Sequence, residues 1–422
     1  MSQKKQPFQI ILLLILAGEA IFVLPFVLAR VFRPTFLDVF ELNNLELGIC
    51  FSIYGIIAML SYLFGGVITD MFKPRKLISA ALILTALGGL VMSTYPSYNN
   101  MKLLFGYWGF TTIFLFWAAL IKATRIWGGT KRQGIAFGFL DGGRGLVAAG
   151  FGSMGVLVFS IFIDVDPNEA TLEQRKFAFR NIILVTSFLV GFIGVLVYLF
   201  MKTDTDPHKS GTKSSDTLGI ANLKLVLRIK PVRQLMIIIL CAYVGYKITD
   251  IFSLYAKEVM LYDEIEAAQI GALLLYIRPI VGITIGVLAD RTKASLWLII
   301  GFIVMLIGAL LFSSGLVEAD AISFFFLSLI VIATGTYAVR VLYFATLEEA
   351  NIPLTITGSV IGAISLIGYT PDIFMGPAMG YLLDSSPGKT GHQHVFIMLA
   401  VFAVVGLFTS IMFRRTLKNS RS

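Results

Sequence analysis

Gly65-Gly66-Val67-Ile68-Thr69-Asp70-Met71-Phe72-Lys73-Pro74-Arg75-Lys76 is a knot of charge set between two long apolar runs. It has an echo in Gly286-Val287-Leu288-Ala289-Asp290-Arg291-Thr292-Lys293, where an aspartate again follows a glycine by four residues, with bases just behind it. The flanking runs are about twenty residues long, which is what a helix needs to cross hydrocarbon. Over 422 residues the chain is 57% hydrophobic and only 14% charged, with a mean hydropathy of +0.85, far more apolar than a soluble domain. Outer-membrane barrels alternate over strands of about ten residues, so unbroken runs of this length point instead to an all-α integral membrane protein.

Runs bounded by polar or turn residues predict twelve transmembrane helices. Six lie near 8–32, 45–69, 77–95, 101–126, 134–163 and 180–201, and six near 232–256, 267–289, 295–315, 321–346, 354–383 and 394–413. Residues 202–231 form the linker: the polar segment Thr203 to Gly211, then Leu218 to Ile229, which reads as an amphipathic surface helix. The chain thus divides into an N-terminal six-helix bundle, 1–201, and a C-terminal six-helix bundle, 232–422, with a short tail. Aligning Asp70 with Asp290 places both charged loops between the second and third helices of their bundles. The two bundles are therefore pseudo-symmetric, the plan of a transporter whose halves rock about a central site.

Of the 34 lysines and arginines, 20 fall in the termini and the loops on their side, 7 in the opposite loops and 7 within predicted helices. By the positive-inside rule both termini are cytoplasmic. The acids collect outside, with Asp164, Asp166, Glu169 and Glu173 after the fifth helix and Asp263, Glu264 and Glu266 after the seventh. This distribution explains the net charge of +9 without nucleic acid as a partner. The N-terminus, with Lys4 and Lys5, leads into an apolar run without a small-residue cleavage site, which reads as a retained first helix. Cys50 and Cys241 lie within apolar runs, as small packing residues rather than a disulfide framework.

The first charged loop resembles that of the major facilitator superfamily, whose pattern there is G-x-x-x-D-[RK]-x-G-[RK]-[RK]. Gly66, Asp70, Arg75 and Lys76 match it, while Met71, Lys73 and Pro74 depart from it. The second copy keeps Gly286, Asp290 and Arg291. A finer resemblance, carried by Arg30, the short loop after the fourth helix and the glycines from Gly134-Ile135-Ala136-Phe137-Gly138 to Gly142-Gly143-Arg144-Gly145, is to the organophosphate and sugar-phosphate antiporter-like branch and its uncharacterised sugar-permease-like relatives. That branch commonly holds a phosphate between arginines on the first and seventh helices. Here Arg30 stands on the first but Lys247 on the seventh, and lysine lacks the planar fork of arginine. The proline-containing fifth-helix motif of many drug antiporters is absent between Gly138 and Gly155. The resemblance implies two bundles rocking in alternating access, with Gly66, Asp70, Arg75, Lys76, Asp290 and Arg291 as a gate latch at the cytoplasmic edge.

Charges inside the helices carry the cargo argument. Each costs roughly 2.5–3.5 kcal/mol on insertion scales unless it finds a partner or a wet cavity. At about 1.5 Å per residue, Glu19, Arg144, Lys247 and Arg278 lie roughly 12–22 Å into their helices. Arg278, next to Pro279 and an expected kink, and Lys247 are candidate ligands of an anionic group. Lys247 also reads as an ion pair with Asp250, three residues on. Arg144 has the same choice between pairing with Asp141 and meeting an anion. Glu19 is the carboxyl best placed to carry a coupling proton, against a neutral, hydrogen-bonded role. Asp372, in Tyr369-Thr370-Pro371-Asp372, marks a broken eleventh helix and either pairs with a cation or carries a proton. Lys122 and Arg125 read as snorkelling to the inner face, and Arg340 sits at a matching depth on the tenth helix as a guide for an incoming anion. Arg30 is either an interfacial anchor or an anion ligand. Tyr54, Tyr246 and Tyr276 offer hydroxyls to a polar substrate, or simply pack.

His208, His392 and His394 all lie outside the helix centres, read as solvated, and no metal site, cofactor motif or catalytic signature is expected. Seven intramembrane cations against the acids Glu19, Asp141, Asp250 and Asp372 leave a surplus that an anionic substrate complements. The reading is a secondary transporter in the bacterial inner membrane, with the bilayer, a small organic anion such as a sugar acid or a phosphorylated or sulfonated sugar, and a proton or counter-substrate as partners. The alternatives are a transporter of a neutral sugar or lipophilic compound and a transporter-like ligand sensor.

Overall fold

The computed structural model describes residues 7–129, 133–163, 166–167, 169–201, 228–342, 346–350 and 357–419. Of 63–67, 70, 133–135, 347–348, 357–359 and 361–362 only the backbone is described. The expectations for Lys4, Lys5, Asp164, most of the linker and the Asp70 side chain therefore fall outside the described residues.

Every regular element among the described residues is a helix. The first, α1, spans Phe8–Val31 and carries a π turn at Val23–Val27, where Pro25 has no amide hydrogen to donate and the ladder loosens around it. A short helix absent from the sequence reading, α2 (Arg33–Phe40), follows at once, started by Pro34 in its first turn and closed by Glu41 in the left-handed region at φ 53°. The next, α3 (Asn44–Met71), opens on a capping box in which the Asn43 side chain takes the Glu46 amide and the Glu46 side chain takes the Asn43 amide. Pro74 begins α4 (Pro74–Met92). A proline at a first helical position gives up an amide that would have no partner there anyway, so Pro74 is suited to the place where the superfamily pattern has a base.

The following helices are α5 (Tyr98–Gly128), with a π segment at Phe110–Trp117, α6 (Gln133–Phe162) and α7 (Leu172–Phe200). The last of these starts eight residues before the expected 180, because a Thr171–Gln174 capping box supplies a start signal ahead of the apolar run. In the second set come α8 (Lys230–Glu258), broken by a 3-10 turn at Thr249–Ile251, α9 (Glu264–Arg291), α10 (Ala294–Ser313) and α11 (Ile322–Leu342). Pro279, where a kink is expected, lies inside α9, and the helix runs on through it to Arg291. After the four-residue α12 (Thr346–Glu349), the expected eleventh crossing is met as two helices, α13 (Thr357–Gly368) and α14 (Pro371–Ser385). The chain closes with α15 (Lys389–Asn419). Among the described residues eleven helices are individually long and apolar enough to cross a membrane, and the α13–α14 pair fills the place of the twelfth. The protein is a multi-pass membrane protein.

By contacts the chain forms two compact units, Met1–Lys213 with Tyr262–Tyr276, and Ser214–Leu261 with Ile277–Ser422. In the first unit a polar seam runs between α3, α4 and α5. Tyr54 bonds Thr112 at 2.6 Å, Thr85 bonds Thr111 at 2.8 Å, and the Trp108 indole donates to the Thr85 carbonyl at 3.2 Å. In the second unit α10 and α11 cross nearly backbone to backbone. A side chain at Gly335 would lie 2.3 Å from the Met305 amide nitrogen, and one at Gly308 would lie 2.6 Å from the Ile332 Cα. Such close approach is the use membrane helices make of small residues.

Candidate functional site

In the first unit the buried charges meet across helices. Arg144 on α6 donates through Nε to Glu19 on α1 at 3.1 Å, and both side chains are nearly sealed from solvent. The guanidinium carbon lies 5.5 Å from the centre of the Phe22 ring and 5.6 Å from that of Trp117, so aromatic faces add to the carboxylate in stabilising the cation. The aliphatic stem of Arg144 packs where a side chain at Gly18 would stand. Sequence offered Asp141 as the partner of Arg144, and the bond in the structure is to Glu19. Asp141 is exposed. Lys122 donates to the Thr69 carbonyl near the end of α3 at 2.8 Å, where a cation suits the negative end of the helix. Tyr276 bonds Ser153 at 2.9 Å.

At the far end of this unit, Arg175 bridges Asp38 at 2.9 Å and Glu264 at 3.5 Å, and Lys176 bridges Glu41 at 3.0 Å. Arg30 is buried, and its neighbour Arg33 donates to Asn44 at 3.0 and 3.2 Å. Tyr95, in the loop before α5, donates its hydroxyl to the Lys176 carbonyl. Burial raises the pKa of that phenol and keeps it a donor.

The second unit holds the denser cluster. Lys247 is 2% exposed and its ammonium lies 3.4 Å from two carboxylates, Asp250 on the same helix and Asp372 on α14. Asp250 reaches it because the 3-10 turn at Thr249–Ile251 tightens α8 at that point. Asp372 reaches it because the α13–α14 break sets this acid in the first turn of α14, where the helix end favours negative charge. The Tyr243 hydroxyl donates to both Asp372 oxygens, at 3.0 and 3.1 Å. Its ring packs against Tyr369 at 4.9 Å and Tyr246 at 5.7 Å, and the Arg340 guanidinium stacks on Tyr246 at 3.5 Å. Arg278 is buried on α9.

Sequence reasoning singled out Lys247, Asp250, Asp372, Arg340 and Tyr246, and the structure brings all five together. It passed over Tyr243, which stands four residues before Lys247 on the same helical face; that spacing was the available signal. His392, expected in solvent, is completely buried, with Nε2 2.9 Å from Glu258 and its ring edge-on to Tyr255 at 5.0 Å. The correction has a local cause: α15 begins at Lys389, so His392 is already inside its first turn. Of the gate residues, Arg75 lies over the Tyr198 ring at 5.5 Å, while Lys76, Asp290 and Arg291 are exposed. No group of three or more metal-ligating side chains gathers among the described residues.

A helical chain of this length, with two charged loops in register and paired intramembrane charges, matches the family model of the Major Facilitator Superfamily over residues 10–373. The chain belongs to this superfamily. Among its relatives, it is 27% identical over 378 residues to the inner membrane protein YqcE of Escherichia coli (strain K12), covering 88% of this chain and 87% of that one. It is 24% identical over 412 residues to the inner membrane protein YihN of the same organism, covering 97% and 95%. Two solved structures share the superfamily fold. The nucleoside transporter NupG matches with a TM-score of 0.71 at 14% identity over 96% of this chain and 99% of that one. A bacterial homolog of the human lysosomal transporter Spinster matches with a TM-score of 0.71 at 15% identity over 98% of each. As a superfamily member the chain is a secondary transporter working by alternating access.

Proposed function

We propose that this transporter carries a small organic anion across the inner membrane, with both termini cytoplasmic and with a proton or a counter-substrate as the coupled species. The observation that carries the reading is Lys247, almost wholly buried yet poised between two acids, with the Arg340 cation and three tyrosines around it. A buried ammonium balanced by carboxylates from two different helices is a cation that another carboxylate, phosphate or sulfonate can share. Tyr243, Tyr246 and Tyr369 are each partly exposed, so the cluster also offers hydroxyls and ring faces to the body of a polar solute. Arg278, buried and preceding Pro279, is a second anion ligand in this reading, and Arg30, Arg144 and Arg340 guide or bind the charge. The names of the relatives, both inner membrane proteins, support the location, and the lysine- and arginine-rich inner loops support the orientation.

The test is a thermal-shift series on the purified protein with gluconate, glucuronate, phosphorylated glucose, sulfonated glucose and neutral glucose. A ligand bound only by the folded state raises the apparent melting temperature. At least one anion is expected to stabilise the wild type, and Lys247→Gln and Arg278→Ala to lose that shift. Equal stabilisation by glucose, or none by any anion, overturns the reading. A stabilising anion that vesicles bind but do not move would make the chain a sensor.

A further inference from the structure

We infer that a groove between α3 and α5, within the first unit, is a binding site for an anionic phospholipid, which lays one acyl chain along the groove and sets its phosphate against Lys102. The groove has a volume of 590 Å³ and is lined by Ile53 and Ile57 of α3 and by Asn99, Lys102, Leu103 and Gly106 of α5. It is distinct from the buried charges that carry the transport reading, and neither proposal depends on the other.

The groove forms because the two helices touch deep in the unit and part toward the start of α5. A side chain at Gly109 would lie 2.7 Å from the Tyr54 carbonyl oxygen, so the backbones are in contact there. At Gly106, one turn nearer the start of α5, only the side chains of Ile53 and Ile57 come within 4 Å among the described residues, at 3.4 and 3.8 Å. The missing side chain of Gly106 leaves the floor of the groove open. From Gly106 to Tyr98, where α5 begins, the helical rise gives roughly 12 Å, comparable with one leaflet's share of a hydrocarbon core about 30 Å thick.

The rims are apolar and uncovered. Leu103 is 73% exposed, and Phe110 on α5 and Ile56 and Leu60 on α3 are exposed as well. Tyr107, four residues after Leu103 and exposed with it, turns its hydroxyl back onto the Leu84 carbonyl at 2.7 Å. A polar atom that faces hydrocarbon must find its partner within the protein, so this face is built to meet acyl chains.

The mouth is built for a phosphate. Lys102 reaches back toward the start of its helix and sets its ammonium 4.4 Å from the centre of the Tyr98 ring, as a lysine near a membrane interface does when it snorkels. Asn99 adds an amide donor beside it. The first turn of α5 contains no acid, and no side chain caps its amides, so the positive end of the helix reinforces the lysine. Glu46, in the first turn of α3, is turned onto the Asn43 amide at 3.0 Å. A lipid of net negative charge, such as phosphatidylglycerol, complements this mouth. The ammonium of phosphatidylethanolamine would meet the like charge of Lys102.

The experiment is native mass spectrometry of the purified, delipidated full chain, given equal amounts of phosphatidylglycerol and phosphatidylethanolamine. The wild type is expected to retain phosphatidylglycerol in preference. Lys102→Gln is expected to weaken that binding about fivefold, the worth of one lysine against an anionic lipid surface, and to leave phosphatidylethanolamine unchanged. Gly106→Leu, which fills the groove, is expected to lose the bound lipid. Should that variant fail to fold, competition tests the groove without it: a large excess of glycerol 3-phosphate, a headgroup without a chain, is expected to leave phosphatidylglycerol in place. Equal retention of the two lipids by the wild type, or an unchanged preference in Lys102→Gln, overturns the proposal at the mouth. Unchanged retention in Gly106→Leu, or displacement by glycerol 3-phosphate, overturns it at the groove. A dimer that Gly106→Leu separates would give the groove to a second copy of the chain instead.

Discussion

Arg144 and Glu19 show what a single intramembrane charge demands of the chain. Neither is affordable alone in a sealed place, and their bond spans 125 residues of sequence. Removing one partner of a buried pair leaves the other uncompensated, a loss of roughly 3–5 kcal/mol, whereas replacing both often costs little. Arg144→Gln is therefore expected to lower the melting temperature in detergent markedly, and the double variant Glu19→Gln, Arg144→Gln to recover most of the loss. Equal melting temperatures for the single and double variants would mean that the pair is not what stabilises this part of α1 and α6. The need for partners was legible in the letters, because a charge within an apolar run stands out at once. Which acid met which base was not. Local spacing favoured Asp141 for Arg144, and it found Asp250 for Lys247 while missing that Asp372 shares the same ammonium. Those bonds are set by how helices pack, to which a one-dimensional pattern is blind.

At the scale of elements, the crossings were readable from apolar length and their starts from capping residues, whereas interruptions were readable only where proline marked them. Pro371 announced the break that brings Asp372 to Lys247. The long π segment of α5 at Phe110–Trp117 contains no proline or glycine, and nothing in its apolar letters distinguishes it from ordinary helix. Glycines divide in the same way. The run of glycines on α6 suggests close packing, and Gly143 does press on Ile15, yet Gly138, Gly142 and Gly150 meet no described atom within 4 Å. Alanine at Gly138 is therefore expected to be neutral or to add about 0.5–1 kcal/mol through helix propensity. Alanine at Gly335 must push α11 off the Met305 backbone and is expected to cost roughly 1–3 kcal/mol. Melting curves of the two variants side by side check the contrast, and an unchanged Gly335→Ala would show that α10 and α11 can separate without loss.

For the molecule as a whole, the duplicated charged loop that marks the superfamily is remote in sequence from the cluster around Lys247. Its residues end helices rather than line them: Met71 closes α3, Pro74 opens α4, and Asp290 and Arg291 finish α9. In the proposed cycle such residues set how fast the protein changes state, while the anion is held by side chains of α8, α9, α11 and α14. Rate and affinity then become separable. None of the contacts that Lys247 makes with Asp250 and Asp372, or Tyr243 with Asp372, is to a residue of either charged loop, so a substitution there that keeps size but removes charge acts on binding mainly through the populations of the states. Its main effect falls on the relative stability of the states through which the transporter passes, and a shift of about 1.4 kcal/mol in a barrier is tenfold in rate. Asp70→Asn is accordingly expected to change gluconate exchange in vesicles severalfold, with an affinity within a factor of about two of the wild type, since affinity follows contacts that differ between bound and free states. Lys247→Gln is expected to do the reverse and weaken binding first. A large loss of affinity in Asp70→Asn at an unchanged exchange rate would place the first loop in the binding machinery and reverse this division of labour.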